Sequence, residues 1–299
     1  MTKLEGLGES ELLRRILPYL TTTGYQVVAG EDDAAVWPSL DPDFPQDYVV
    51  ASCDTSVERV HFDLSWMSPV DVGHRALALA LGDLAAKGAS PKYVLVALAA
   101  PRSWPVESVT GLYEGIRRVA DRFDMAVAGG DTTAIDGPAV LTLTVLGTAS
   151  EVPLARSRAQ PGWAVAVTGP LGAAALALRE RRPFLPEPRF DLGADLNQAE
   201  LACGDISDGL LREMEKFASV SGAGCVIRAA DVPIAAGATL ADALTSGEES
   251  ELVCVGPEET LIRAGLRPIG EMTAGGVVRV VGPDGSDLQL KVRGYDHFA

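Results

Sequence analysis

Apolar residues recur along this chain with two spacings. PAVLTLTVLG (138–147) alternates apolar and polar positions as a half-buried strand does, and KYVLVALAAP (92–101) reads as a buried strand. SELLRRILPYL (10–20) instead sets Leu12, Leu13, Ile16, Leu17 and Leu20 on one face of a helix, with Ser10 as its expected N-cap. SPVDVGHRALALALGDLAAKGAS (68–90) predicts a second helix: Ser68 caps it, Pro69 opens it, Asp71 supplies the third-position acid and Gly88 stops it. A third helix is expected over 106–123, and MAVAGGDTT (125–133) as a strand running into a glycine-rich turn.

From 149 to 162 the text turns loop-like, which sets the expected boundary between one domain over 1–148 and another over 149–299. WAVAVTGPLGAAALAL (163–178) then gives a strand, a glycine turn and a helix, followed by the proline-rich connection RRPFLPEPRF. ACGDISDGLLREMEKFASVSG (202–222) gives a short strand, an acidic turn and a helix with Leu210, Leu211, Met214, Phe217 and Ala218 inward. Strands follow at CVIRA, ELVCV and VVRVVG, with a helix beginning near Pro257. Alternating strands and helices predict an α/β class in both halves.

Length and composition sharpen this picture. A chain of 299 residues exceeds one ordinary core, and abundant Gly and Ala suit tight turns and close backbone approaches. A net charge of −16 argues against nucleic acid or an anionic membrane as partner. Four cysteines without CxxC spacing and three scattered histidines argue against a zinc site or a disulfide framework. MTKLEGLGESELL lacks the apolar core of a signal peptide, and no apolar run is long enough to span a membrane, so a cytoplasmic location is expected.

Acids recur in one setting. In GEDDAAV, VVASCDTS, ALGDLAA, AVAGGDTT and ACGDISDG, a small apolar run meets an Asp flanked by Gly, Ser or Thr. One such Asp is ordinarily a turn residue. Five of them point to carboxylates that converge on hard dications with oxygen ligands. Asp83 projects from the stripe of Ala76, Leu79 and Ala80; a salt bridge to Arg75 or Lys87 is the competing reading to a metal ligand. No GxxxxGK[ST] loop, kinase HRD or DFG pair, or GxSxG elbow is present. GGDTT and TGPLGAA are glycine-rich turns fit to approach phosphates, so the acids and turns together point to a metal-bound nucleotide triphosphate.

GEDDAAV, DTSVERVHFD, DVGHRALALALGDLAAKGASP, GGDTT, TGPLGAAALAL, DISDGLL and GYDHF, in this order, resemble the thiamine-monophosphate kinase family. It is grouped with aminoimidazole ribonucleotide synthetase, selenophosphate synthetase and a hydrogenase maturation protein. The resemblance implies that superfamily's two-domain fold, in a homodimer whose N-terminal halves pack sheet against sheet. It implies ATP-dependent phosphorylation of thiamine monophosphate to thiamine diphosphate, with several Mg²⁺ ions. Carried over by position, Asp33, Ser52, Cys53, Asp54, Asp83, Asp131, Asp205 and Asp208 match metal ligands, with Asp54, Asp131 and Asp208 at the catalytic centre. Gly130, Asp131, Arg156 and Ser207 match ATP contacts, and His61, Glu248 and Tyr295 match substrate contacts. The chain departs from the family at Cys53, usually Thr; at Ser250, where SGEESEL lacks an aromatic; and at Lys87, where an apolar residue is common. Competing expectations are another ATP-dependent enzyme of the superfamily, a non-catalytic binder of nucleotide or thiamine phosphate, and a two-metal hydrolase. The central expectation is that Asp33, Asp54, Asp83 and Asp131 meet in one cleft.

Overall fold

The computed structural model describes residues 4, 7–20, 32–197 and 201–298. Gly30 and Glu31 of the opening acid run lie outside the described residues. The first sheet contains β1 (Ala35–Pro38), β2 (Tyr48–Val57), β3 (Ser90–Pro101), β4 (Ala126–Ile135) and β5 (Val140–Ala149), in the order β1-β2-β5-β3-β4. All its pairs are antiparallel except β3 with β4. Two helices, α2 (Pro69–Ala86) and α3 (Val106–Arg122), lie against one face, after the N-terminal α1 (Glu9–Ile16). Val94, Val96, Leu98, Leu141, Leu143 and Val145 share a buried core with Leu77, Leu81 and Leu84 of α2. The alternate residues of β3 point the other way, and Tyr93 and Leu95 are exposed.

The second sheet contains β6 (Ala164–Val167), β7 (Ala202–Asp205), β8 (Ala223–Arg228), β9 (Leu252–Gly256) and β10 (Pro268–Val281), in the order β7-β9-β6-β10-β8. Its helices are α4 (Ala173–Arg179), α5 (Phe190–Asn197), α6 (Leu210–Ser221), α7 (Leu240–Thr245) and α8 (Glu258–Arg263). The expected inward face of α6, from Leu210 to Ala218, is buried with Val165, Val253 and Val255. A further core joins the halves: Ala86 of α2 and Leu154 pack with Ala164, Cys203 and Cys254. This contact lays the C-terminal end of α2 beside β7, and it positions the site.

α2 begins and ends where its sequence says. The Ser68 hydroxyl accepts from the Asp71 amide at 3.1 Å, Pro69 opens the helix, and Gly88 at φ 66° leaves it in the left-handed region. Three details differ from expectation. α1 is capped by Gly8, so Ser10 lies inside the helix, and no α1 residue is buried. GGDTT is no turn: β4 runs straight through it, paired with β3. A Cβ at Gly130 would stand 1.7 Å from the Val96 carbonyl oxygen, so this glycine permits close strand approach. Finally, the segments of α5 and α7 carry helices where no helix was expected.

Candidate active site

Ser52 and Asp54 share the helix-covered face of β2, because side chains alternate and Val50 on that face is fully buried. α2 crosses this face, and the Ser52 hydroxyl donates to Asp83 Oδ2 at 2.5 Å. Asp33 arrives from the segment before β1, and Asp205 from the last position of β7. Asp33, Asp83 and Asp205 each offer a carboxylate oxygen within 4.8 Å of the others. Four far-separated stretches thus supply one buried floor.

The basic side chains around this floor serve one side of it. Lys87 pairs with Asp32 and lies 2.9 Å from Asp33 Oδ2. Arg156, whose side chain is 2% exposed, pairs with Asp33 and binds Glu213 Oε1 at 2.5 Å; its amide donates to Asp32 Oδ2 at 3.1 Å. Burial alone would raise the Asp33 carboxyl, but Arg156 and Lys87 hold it below its ordinary range. Asp83 and Asp205 have no ion pair among the described residues. Burial pushes both carboxyls well above the ordinary range, helped by Asp205 beside Asp83 and by Asp33 beside Asp205. Asp54 is pushed up to about 6 by burial and by the charges of Asp208, Asp33 and Glu248. The competing reading of Asp83 as half of a salt bridge is therefore excluded: Lys87 turns to Asp32 and Asp33, and Arg75 pairs with Glu248.

The rim is more open. Asp208 accepts an ion pair from Lys216 at 3.1 Å, and Lys216 reaches Ser207 Oγ at 3.3 Å. The Arg75 guanidinium joins Glu248 to the His61 carbonyl oxygen, donating to the latter at 2.7 Å. The Tyr295 amide donates to the Asp208 carbonyl at 3.0 Å, and the His297 ring packs 4.7 Å from Tyr295 and 5.2 Å from His61. His61, Glu248 and Tyr295 thus gather on one side, beside Asp208. Burial, then His297 and Arg75, hold the His61 imidazole below its ordinary range, and its Nδ1 accepts from the Val57 amide at 3.0 Å.

Two residues expected at the floor stand elsewhere. Asp131 is exposed and lies in register with Ala97, on the sheet face away from α2. Its strand β4 is separated from β2 by β5 and β3, about 14 Å at ordinary strand spacing. The expected single cleft therefore gathers Asp33, Asp54 and Asp83, and not Asp131 of the same chain. Cys53 also points to the open face, where Thr144 Oγ1 lies 3.4 Å from its sulfur, so only its backbone carbonyl is left to serve as a ligand. TGPLGAA is no free phosphate cradle: Glu249 Oε1 accepts from the amides of Gly172 at 2.9 Å and Ala174 at 3.3 Å. Ser250 is buried with no hydrogen-bond partner for its hydroxyl among the described residues, and the aromatic surface comes instead from Tyr295, His297 and His61.

Asp32, Lys87, Glu213, Lys216 and Arg75 join the network without having been singled out as site residues. For Glu213 a signal existed: it falls three residues after Leu210 and four before Phe217, on a stripe that should be apolar. The residues present fit a divalent cation. Among the described residues, Asp83 and Asp205 are buried acids without an ion pair, and Asp33 Oδ2, 2.9 Å from the Lys87 ammonium, is buried with no hydrogen bond aligned on it.

Residues 31–149 match the family model of AIR synthase related protein, N-terminal domain. Thiamine-monophosphate kinase of Rhodopirellula baltica is 38% identical over 254 residues, 79% of either chain. Its counterpart in Methanopyrus kandleri is 32% identical, covering 91% of this chain and 92% of that one. The solved structure of AaThiL complexed with AMPPCP and TMP superposes with a TM-score of 0.86 at 25% identity, covering 100% of this chain and 99% of the other.

Proposed function

The chain belongs to the thiamine-monophosphate kinase family, and from that premise we propose that it passes the γ-phosphoryl group of ATP to the phosphate of thiamine monophosphate, giving thiamine diphosphate and ADP. The observation that carries the reading is the convergence of Asp33, Asp54, Asp83 and Asp205 from both halves on one buried floor, with Asp208 at its rim. Phosphoryl transfer requires positioning and charge neutralisation more than covalent help, and the acceptor here is already an anionic phosphate oxygen. A general base is therefore unnecessary.

Mg²⁺ bound by Asp33, Asp83, Asp205, Asp54 and Asp208 would supply the positive charge that lets two polyphosphate groups approach. Ser52 orients Asp83 through its hydrogen bond. Lys216 and Ser207 stand at the rim where a nucleotide phosphate would meet Asp208. Arg75 fixes Glu248, whose backbone is in the left-handed region at φ 61°, for contact with the thiamine side of the acceptor. His61, Tyr295 and His297 give that side a ring-lined wall.

Asp131 is assigned to the partner subunit's site in a homodimer. The open face of the first sheet, with Tyr93 and Leu95 exposed, supports a dimer that stacks the two sheets. Such stacking would carry Asp131 of one copy toward β2 of the other. The defining assay mixes purified protein with ATP, Mg²⁺ and thiamine monophosphate. Thiamine diphosphate and ADP are expected in equal amounts, with Asp54→Asn nearly inactive. Inorganic phosphate without thiamine diphosphate would instead reveal a hydrolase.

A further inference from the structure

Lys87 belongs to this network and has no part in the transfer as proposed. It is the C-cap of α2, one turn beyond Asp83, and its side chain is fully buried. Three oxygens surround the ammonium: Asp32 Oδ1, Asp33 Oδ2 at 2.9 Å, and the Cys203 carbonyl at 3.0 Å. Asp32 Oδ1 and the Cys203 carbonyl accept hydrogen bonds from it and Asp33 Oδ2 is an ion-pair contact, so the buried ammonium is surrounded by the protein's own oxygens. The three oxygens come from the segment before β1 and from β7, which lie in different halves of the chain. Cys203 is two residues before Asp205 on β7, so the contact fixes how far Asp205 stands from Asp83 and Asp33.

A divalent ion among Asp33, Asp83 and Asp205 would share the Asp33 carboxylate with this ammonium. Two cations on one carboxylate repel, and in a buried setting the repulsion is only weakly screened. The same ammonium lowers the mutual repulsion of the acids while no metal is present. Both effects follow from position and charge.

We propose that Lys87 is a resident cation of the acidic cleft, a positioning residue that assembles the carboxylates before a divalent ion enters and loosens their hold on the ion that does. The proposal rests on the reading of Asp33, Asp83 and Asp205 as metal ligands. The substrate-side consequence is a cleft that stays formed between turnovers and exchanges its metal readily.

The test measures Mn²⁺ binding by electron paramagnetic resonance in the nucleotide-free, full-length protein, alongside thermal melting in chelator and in Mg²⁺. Lys87→Met is expected to bind Mn²⁺ roughly tenfold tighter or more than the parent. It should also melt lower in chelator and regain most of that loss in Mg²⁺, whereas Lys87→Arg should track the parent in both measurements. A Lys87→Met variant that folds only as Mn²⁺ is titrated in would support the proposal equally. An unchanged Mn²⁺ isotherm, with or without a lower melting point, would reduce Lys87 to a structural pin and overturn it, as would a variant unfolded at every Mn²⁺ concentration. A parent protein that binds no Mn²⁺ removes the metal reading itself, and the Lys87 proposal with it.

Discussion

At the scale of single residues, the cleft is defined by which acids have a partner and which do not. Asp32 and Asp33 are answered by Lys87 and Arg156, while Asp83 and Asp205 have no ion pair among the described residues. Replacing Asp83 by Asn keeps its shape and removes a buried acid that no ion pair offsets among the described residues. The metal-free variant should therefore melt higher than the parent, Mg²⁺ should no longer raise its melting point, and kcat should fall about 100-fold or more. Loss of activity together with a lower metal-free melting point would contradict this account. The acids also set a pH dependence. Burial and neighbouring acids push Asp54 up to about 6, and Asp83 and Asp205 well above their ordinary range. Folded values above unfolded ones mean that the fold holds more protons. Their stabilising contribution is present below the ordinary carboxylate range and is lost as pH rises through 6 and beyond. Thermal melting should accordingly show a small Mg²⁺ effect at pH 5 and a large one at pH 8; equal effects at both would contradict it.

At the scale of elements, β7 and α6 carry the second half of the cleft, and their fit depends on one missing side chain. A Cβ at Gly204 would lie 2.0 Å from Glu213 Oε1 and 2.9 Å from Arg156 Nε. Only glycine lets the Arg156–Glu213 pair pass behind β7. Gly204→Ala should cost about 1–3 kcal/mol, read as a shift of the urea midpoint at unchanged slope, and should weaken Mg²⁺ binding because Asp205 is the next residue. These elements also show what periodicity can tell. α2 and α6 were legible in full, since each has a long apolar stripe, and α2 adds a side-chain cap and a glycine exit. The GGDTT part of β4 reads as a turn because its glycines and Asp131 carry turn chemistry. Their strand conformation comes from pairing with β3, a partner distant in sequence.

At the scale of the whole molecule, the proposed dimer across the open face of the first sheet would give Asp131 a role that no single chain provides. If it acts across a dimer, Asp131→Asn and Asp83→Asn should each be inactive alone. Mixed, unfolded and refolded together, they should recover roughly a quarter of parental activity, since half the dimers would be mixed and each would hold one intact site. No recovery in a preparation with a confirmed mixed dimer would place Asp131 in its own chain's site or outside the reaction. None of the helices among the described residues is long and apolar enough to cross a membrane. The seam between the halves is what brings Asp205 to Asp83, through Ala86 and Leu154 packed against β7 and its neighbours.

The sequence by itself determined the α/β class, the main helices and strands, and an acidic phosphate-transfer chemistry, because local periodicity, caps and motif spelling are properties of neighbouring residues. It also brought Asp33, Asp54, Asp83 and Asp205 forward as candidates. Only the tertiary structure decided how those acids are shared out. Strand alternation sent Cys53 and Asp131 to the open face, Glu249 filled the α4 turn, and Lys87 and Arg156 were drawn inside against Asp32, Asp33 and Glu213. Each of these outcomes depends on which distant segment buries a charge beside which other, and the spacing of a single chain does not encode that.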